Sequence, residues 1–211
     1  MGKITGLTAG KSREKRVNVF LDGKFAFSLL AEVALKEGLR TGQEISESRL
    51  EALTGLDRYQ RCLNAALRFL GYRPRSETEV RQRLKKHGFE NDYTEKAITR
   101  LKEQGLVDDV AFARFWKENR DSFSPRSRRQ MKMELKSKGL AVDVIDPVIS
   151  EINESESAYR AALGKARRLP REDYQVFRRR LGAYLVRRGF SYDIIKETTE
   201  RIWKENGGNT S

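Results

Sequence analysis

The clearest regularity along the chain is a spacing of apolar positions that comes back. Val80 and Leu84 stand four apart; Gly88, Phe89 and Asp92 follow them. Fifty-one positions on, Met131, Leu135, Gly139, Leu140 and Asp143 take the same places. Leu181, Leu185, Gly189, Phe190 and Asp193 take them a third time. Apolar residues four apart share one face of a helix. A glycine after the last turn supplies the positive φ that ends a helix, so Gly88 and Gly139 are expected in that conformation. A fixed period of 20–50 residues marks stacked supersecondary units. Each copy therefore reads as helix, tight turn, helix.

The flanks complete the unit. Ser76 with Glu79 has the form of a capping box. Asp92, with Glu95 three residues on, is expected to cap a third helix carrying Ile98 and Leu101 on its apolar side. The helix ahead of the motif, about 57–70, offers Leu63, Ala66, Leu67 and Leu70. Pro74-Arg75-Ser76 returns as Pro125-Arg126-Ser127. The third copy lacks it and has a longer second helix, as terminal repeats commonly depart from the pattern. Asp108 is a plausible N-cap for the helix carrying Phe112, Phe115 and Trp116, aromatics spaced as core residues.

Before the repeats, Val17, Val19 and Leu21, then Phe25, Phe27 and Leu29, alternate around Asp22-Gly23, a two-residue hairpin turn. An isolated hairpin is marginal in water, so it must pair with Lys3–Leu7 or lie on helices. Leu30–Glu37 reads as a short helix ended at Gly38, and Ser46 starts another with Leu50 and Leu53 inward. The expected fold is mainly α: three tandem three-helix units in an elongated array behind a small N-terminal α/β module with a β-hairpin. The expected boundaries are 1–56 for the module and 57–107, 108–153 and 154–211 for the units, with a disordered tail from Gly207.

Charge sharpens this picture. The 211 residues carry a net +13, which points to an acidic partner: nucleic acid, an anionic membrane or an acidic protein face. The excess is concentrated. Arg73–Lys86 holds six Lys/Arg against two Glu, Arg126–Lys138 six against one Glu, and Arg178–Arg188 five Arg and no acid. Together they exceed the net charge of the whole chain. The second helix of each unit is therefore the basic one. A solvated face would account for one such helix, while the same bias in three favours a binding stripe. Its candidate members are Arg73, Arg75, Arg81, Arg83, Lys85 and Lys86 in the first unit. Arg126, Arg128, Arg129, Lys132 and Lys136 belong to the second, and Arg179, Arg187 and Arg188 to the third. Of these, Arg81, Arg83, Lys132, Lys136, Arg179 and Arg187 lie off the apolar positions and should face outward.

Little in the sequence supports catalysis. There is one cysteine, Cys62, and one histidine, His87, so neither an intramolecular disulfide nor a Cys/His zinc cluster can be assembled. No G-x-x-x-x-G-K-[ST] phosphate cradle occurs. Asp108-Asp109 is the one acidic pair in a notable place, and helix capping accounts for it. No catalytic residue, cofactor or metal is expected. A lone cysteine on an apolar face suits a reducing compartment. The first residues do not form a signal peptide, and no apolar run approaches the ~20 residues of a membrane span. The expectation is a cytoplasmic protein.

RPRSETEVRQRL, the glycine turn after it and then GLVDDVAFARFWKENR resemble the RecX family of bacterial recombinase regulators. The resemblance covers about residues 57–203. It is specific in the first two units, through Arg73, Pro74, Arg75, Ser76, Glu77, Leu84, Gly88, Leu106, Asp108, Asp109, Phe112, Ala113 and Arg120, and loose in the third. It implies a non-enzymatic protein of three three-helix units, expected to be a monomer. Such a protein binds the groove of the RecA–single-stranded-DNA filament and suppresses strand exchange and ATP hydrolysis. The residues themselves leave two other readings open: a free-standing helical DNA- or RNA-binding module, and a basic scaffold for an acidic protein.

Overall fold

The computed structural model describes residues 2–11, 15–170 and 173–206; the tail expected to be disordered lies outside them. Among these residues four strands form an antiparallel sheet: β1 (Gly2–Ala9), β2 (Arg16–Leu21), β3 (Lys24–Leu30) and β4 (Glu44–Ile45), in the order β3-β2-β1-β4. Asp22 and Gly23 turn the β2–β3 hairpin at φ 48° and 78°. The segment at Lys3–Leu7 supplies the pairing partner that the hairpin required, with Leu7 opposite Val19. After Ile45 the described residues contain no further strand.

Among the described residues ten helices follow or interrupt the sheet: α1 (Ala31–Lys36), α2 (Glu47–Leu70), α3 (Glu77–Lys86), α4 (Asn91–Glu103), α5 (Asp109–Phe123), α6 (Arg128–Ser137), α7 (Val142–Ser150), α8 (Glu154–Ala166), α9 (Tyr174–Val186) and α10 (Tyr192–Glu205). The chain is thus mainly helical. It divides into two compact bodies. One holds the residues up to Arg73 with Val80–Val107; the other holds Pro74–Glu79 with the residues from Asp108 on.

In the first body, Ile4, Val19, Leu29, Ile45 and Leu53 form a core under the sheet. Cys62, Ala66, Val80, Leu84, Ala97, Ile98 and Leu101 form a second among α2, α3 and α4. One helix serves both. The sequence suggested a helix from Ser46 and another from about 57, with a module ending at residue 56; instead α2 runs unbroken from Glu47 to Leu70. Asp57, expected near the start of a helix, lies in the middle of α2. It is 5% exposed, and its carboxylate accepts from the Leu30 amide at 2.7 Å and from Arg16 Nη2 at 3.3 Å. That buried carboxylate ties the end of β3 to the middle of α2. Leu67, expected inward, is 39% exposed.

In the second body, Phe112, Ala113, Met131, Leu135, Ile145 and Val148 make the core of α5–α7. Phe177, Leu181, Leu185, Ile202 and Trp203, with the alanines of α8, make that of α8–α10. The aromatics expected as core behave so: Phe112 is fully buried, with Phe115 and Trp116 packed beside it. The third unit's second helix is longer, as expected: α9 has 13 residues where α3 and α6 have 10.

The Pro-Arg-Ser segments have a purpose that the sequence did not disclose. Ser76 Oγ accepts from the Glu79 amide at 3.1 Å and donates to the Lys138 carbonyl at 2.6 Å. The first turn of α3 therefore sits on the last turn of α6. The Glu79 carboxylate meets Lys138 Nζ at 2.9 Å. The Glu77 amide donates to Asp109 Oδ1 at 2.8 Å. The arrangement repeats between α6 and α9. Ser127 Oγ accepts from the Gln130 amide, and the Ser127 amide donates to the Arg188 carbonyl at 3.1 Å. The Arg128 amide donates to Glu154 Oε1 at 2.8 Å. Asp109 and Glu154 are each the first residue of the helix that opens the following unit. Asp92 is a smaller departure: α4 starts at Asn91, so Asp92 lies in the first turn rather than at the cap.

Gly88, Gly139 and Gly189 have φ of 78°, 82° and 86°. Their surroundings differ. A Cβ at Gly139 would lie 2.3 Å from Thr78 Oγ1, and one at Gly189 2.6 Å from Ser127 Oγ, whereas one at Gly88 meets nothing within 4 Å. Gly88→Ala should therefore carry only the left-handed backbone penalty, about 1–2 kcal/mol. Gly139→Ala and Gly189→Ala should lose about 1–3 kcal/mol more through overpacking. Urea unfolding of the three variants checks this, and equal losses would show that the helix joints do not constrain these glycines.

Candidate nucleic-acid interface

The expected stripe divides into cations that face solvent and cations already held by the fold. Arg83, Lys85, Lys86, Arg129, Lys136, Arg179 and Arg187 are exposed on α3, α6 and α9 or in the turns ending them. The others are engaged. Arg81 pairs with Glu95, and Lys132 with Asp146 at 2.5 Å. Both pairs join the second and third helices of a unit and make these two residues half-buried rather than outward. Arg128 gives Nε and Nη2 to the Ile152 carbonyl at 2.9 and 2.7 Å. Arg188 reaches Ser124 Oγ at 2.9 Å and the Pro125 carbonyl at 3.1 Å, over the ring of Tyr184. Arg126 is half-buried near Glu134 Oε1 at 3.5 Å. Burial and the neighbouring Arg188 lower its pKa. Arg73 and Arg75 are half-buried in the segment before α3.

The third unit breaks the ion-pair pattern. By register with the turn glycines, Gly182 stands where Arg81 and Lys132 stand, and Lys196 where Glu95 and Asp146 stand. Without that pair, a shallow basin of about 420 Å³ opens between α9 and α10 over Gly182, Ile195 and Phe190, with Arg178 and Arg179 at its edge. Arg178 donates instead to the Tyr192 hydroxyl at 2.9 Å.

A strongly cationic recess lies in the first body, between α2, α3 and the turn after α3. It is about 310 Å³ and is lined by Arg61, Ala65, Arg68, Phe69, Tyr72, Arg83, His87 and Phe89. Arg83 was expected to face outward, and it does, with its guanidinium 5.4 Å from the centre of the Phe69 ring. The α2 residues were missed. Their signal was present: Arg61, Ala65, Arg68, Phe69 and Tyr72 follow at steps of four, three, one and three, one helix stripe carried into the turn. It was hidden because that helix was read for its apolar side alone. No carboxylate lines the recess. Of the acids beside it, Glu90 pairs with Arg58 at 3.1 Å and Glu32 accepts from the Asn64 amide at 2.5 Å.

Other chemistry is sparse. Cys62 is buried, and burial pushes its thiol pKa up, the opposite of what a reactive thiolate needs. The Asp108-Asp109 pair is structural: Asp108 caps α5, accepting from the Val110 and Ala111 amides, while Asp109 accepts from Glu77. Among the described residues no group of three or more His, Cys, Asp or Glu could hold a metal ion. No helix there is long and apolar enough to cross a membrane.

Comparison with known proteins agrees with this architecture. Residues 2–46 match the regulatory protein RecX N-terminal domain, residues 62–101 the RecX first three-helix domain, and residues 153–198 the RecX third three-helix domain. A regulatory protein RecX from Clostridium botulinum (strain Eklund 17B / Type B) is 33% identical over 205 residues, covering 95% of this chain and 96% of the relative. The chain belongs to the RecX family. Another RecX, from Clostridium beijerinckii, is 27% identical over 207 residues, 96% of each chain. A crystal structure of regulatory protein RecX superposes with a TM-score of 0.69 at 24% identity, covering 95% of this chain and all of that one. RecX from Lactobacillus salivarius gives 0.60 over 71% of this chain and 98% of its own. At that identity these structures speak for the RecX fold. The N-terminal sheet, outside the resemblance read from the sequence, is thereby part of the family pattern.

The division of the cations changes which substitutions test the stripe. Lys132→Glu would break an ion pair with Asp146, so Lys136 is the better choice. Arg83→Glu, Lys136→Glu and Arg179→Glu combined should leave thermal unfolding nearly unchanged, since exposed substitutions cost within about 0.5 kcal/mol each. The same variant should bind single-stranded DNA more weakly, with the slope of log K against log salt reduced by about 0.7 per lost phosphate contact. A folded triple variant that binds with the parent's affinity and slope would return these cations to the role of a solvated surface.

Proposed function

We propose that this protein is a non-enzymatic regulator that binds the RecA–single-stranded-DNA filament and inhibits its recombinase and ATPase activities, acting as a cytoplasmic monomer. The observation that carries the proposal is family membership spread over nearly the whole chain, at 33% identity to a protein named regulatory protein RecX. The distribution of charge supports it. Every second helix leaves cations facing solvent after the internal ion pairs are subtracted: Arg83, Lys85 and Lys86 on α3, Arg129 and Lys136 on α6, and Arg179 on α9, with Arg187 just beyond it. Phosphates held along a protein filament present the anionic complement of such a set. The thiol and the acidic pair are spent on packing and capping, which agrees with regulation by binding rather than by catalysis.

The alternative is a helical module that binds DNA or RNA without a recombinase. ATP hydrolysis by the recombinase on single-stranded DNA separates the two. Titration of the protein should lower the hydrolysis rate at protein concentrations well below those that coat the DNA, and the protein alone should hydrolyse neither ATP nor DNA. Inhibition that requires stoichiometric coating and is relieved by excess DNA would assign the effect to competition for the strand and favour the alternative.

A further inference from the structure

The recess between α2 and α3 differs in kind from the cations of the second helices. It combines charge with exposed aromatic surface in one concavity. Tyr72 is 86% exposed in the turn directly after α2, so its ring face is open to a ligand. Phe69 and Phe89 give the wall further aromatic faces, and Arg61, Arg68 and Arg83 stand around them. A helical peptide partner would need an apolar groove and gains little from this many cations. A single strand uses both features: the backbone follows the cations while bases stack on the rings. At about 310 Å³, the recess has room for a nucleobase but not for a duplex.

We propose that this recess is a binding site for one nucleotide of a single strand, with the base stacked on Tyr72 and its flanking phosphates held by Arg61 and Arg68. The site deepens the functional reading above, and rests on it for biological meaning, by assigning direct strand contact to the first three-helix unit. It is sequence-tolerant, because a stacked ring offers a π-face to any base and the arginines are assigned to phosphates.

The test is fluorescence anisotropy of the full chain with a labelled oligothymidylate and with an abasic strand of the same length. The intact protein should prefer the strand with bases by at least about fivefold, the lower end of what one stacked base contributes. Tyr72→Ala should abolish that preference without altering the unfolding midpoint, and Tyr72→Phe should keep it. Arg61→Ala should weaken both strands alike. A Tyr72→Ala protein that retains the full preference would overturn the site, as would an intact protein that does not distinguish the strands. A polyglutamate peptide that displaces the oligonucleotide, with its own binding lost in Tyr72→Ala, would reassign the recess to an acidic protein partner. Recombinase ATPase inhibition, measured on the same preparations, keeps the two readings apart. Inhibition without base preference removes the site alone, and base preference without inhibition removes the filament reading alone.

Discussion

A helix ends with carbonyls that have no partner inside it. The architecture of this chain depends on how two of those ends are satisfied. A serine hydroxyl can donate and accept at once. Ser76 accepts from the amide three residues on and donates to a carbonyl 62 positions away at the end of α6. The positive end of one helix dipole thereby faces the negative end of another, a favourable alignment. Glu79 and Lys138 reinforce it across the same contact. Lys138 also sits over the Trp116 ring at 4.9 Å, so the core of α5–α7 extends to the joint. Ser76 and Ser127 are both buried. Removing either hydroxyl would strand an amide inside, a loss usually near 1 kcal/mol for a cap alone.

The repeat, its helical class and the hairpin were legible because each depends on local chemistry. Val80 and Leu84 read as a helix face whatever lies beyond them, and Asp22-Gly23 reads as a turn from its φ preferences. What escaped the reading depends on contacts between distant positions. Asp57 stood in the sequence only as the approximate start of a helix. It is instead the acceptor for Leu30 and Arg16, a role that exists only once the sheet is folded onto α2. The ion pair of Glu79 with Lys138 likewise joins positions 59 apart.

The candidate interface was partly legible for the same reason. Counting Lys and Arg located the basic helices but could not tell a solvent-facing cation from one with a partner. Arg83 and Arg81 differ by two positions and have opposite fates. One clue was available: Arg81 with Glu95, and Lys132 with Asp146, are each fourteen apart, the distance that spans half a helix, the glycine turn and the start of the next. Arg178 and Tyr192 keep that spacing in the third unit with a neutral phenol in place of the acid. The α2 side of the recess was hidden by a different habit, that of reading a helix for what it buries and passing over an ordered polar face.

The Pro-Arg-Ser joint has a direction. The start of a second helix acts as a plug and its glycine end as a socket. α6 has both. α9 has the socket at Arg188 and Gly189, but it starts with Asp173, whose Oδ1 accepts from the Gln175 and Val176 amides of its own first turn. α3 has the plug, while the space around Gly88 is open. Pro-Arg-Ser thus marks the two second helices whose starts rest on the glycine end of the next second helix. A gene duplication that copied the unit of α6 would add a link able to join on both sides. One that copied the unit of α9 would add a link with nothing to insert.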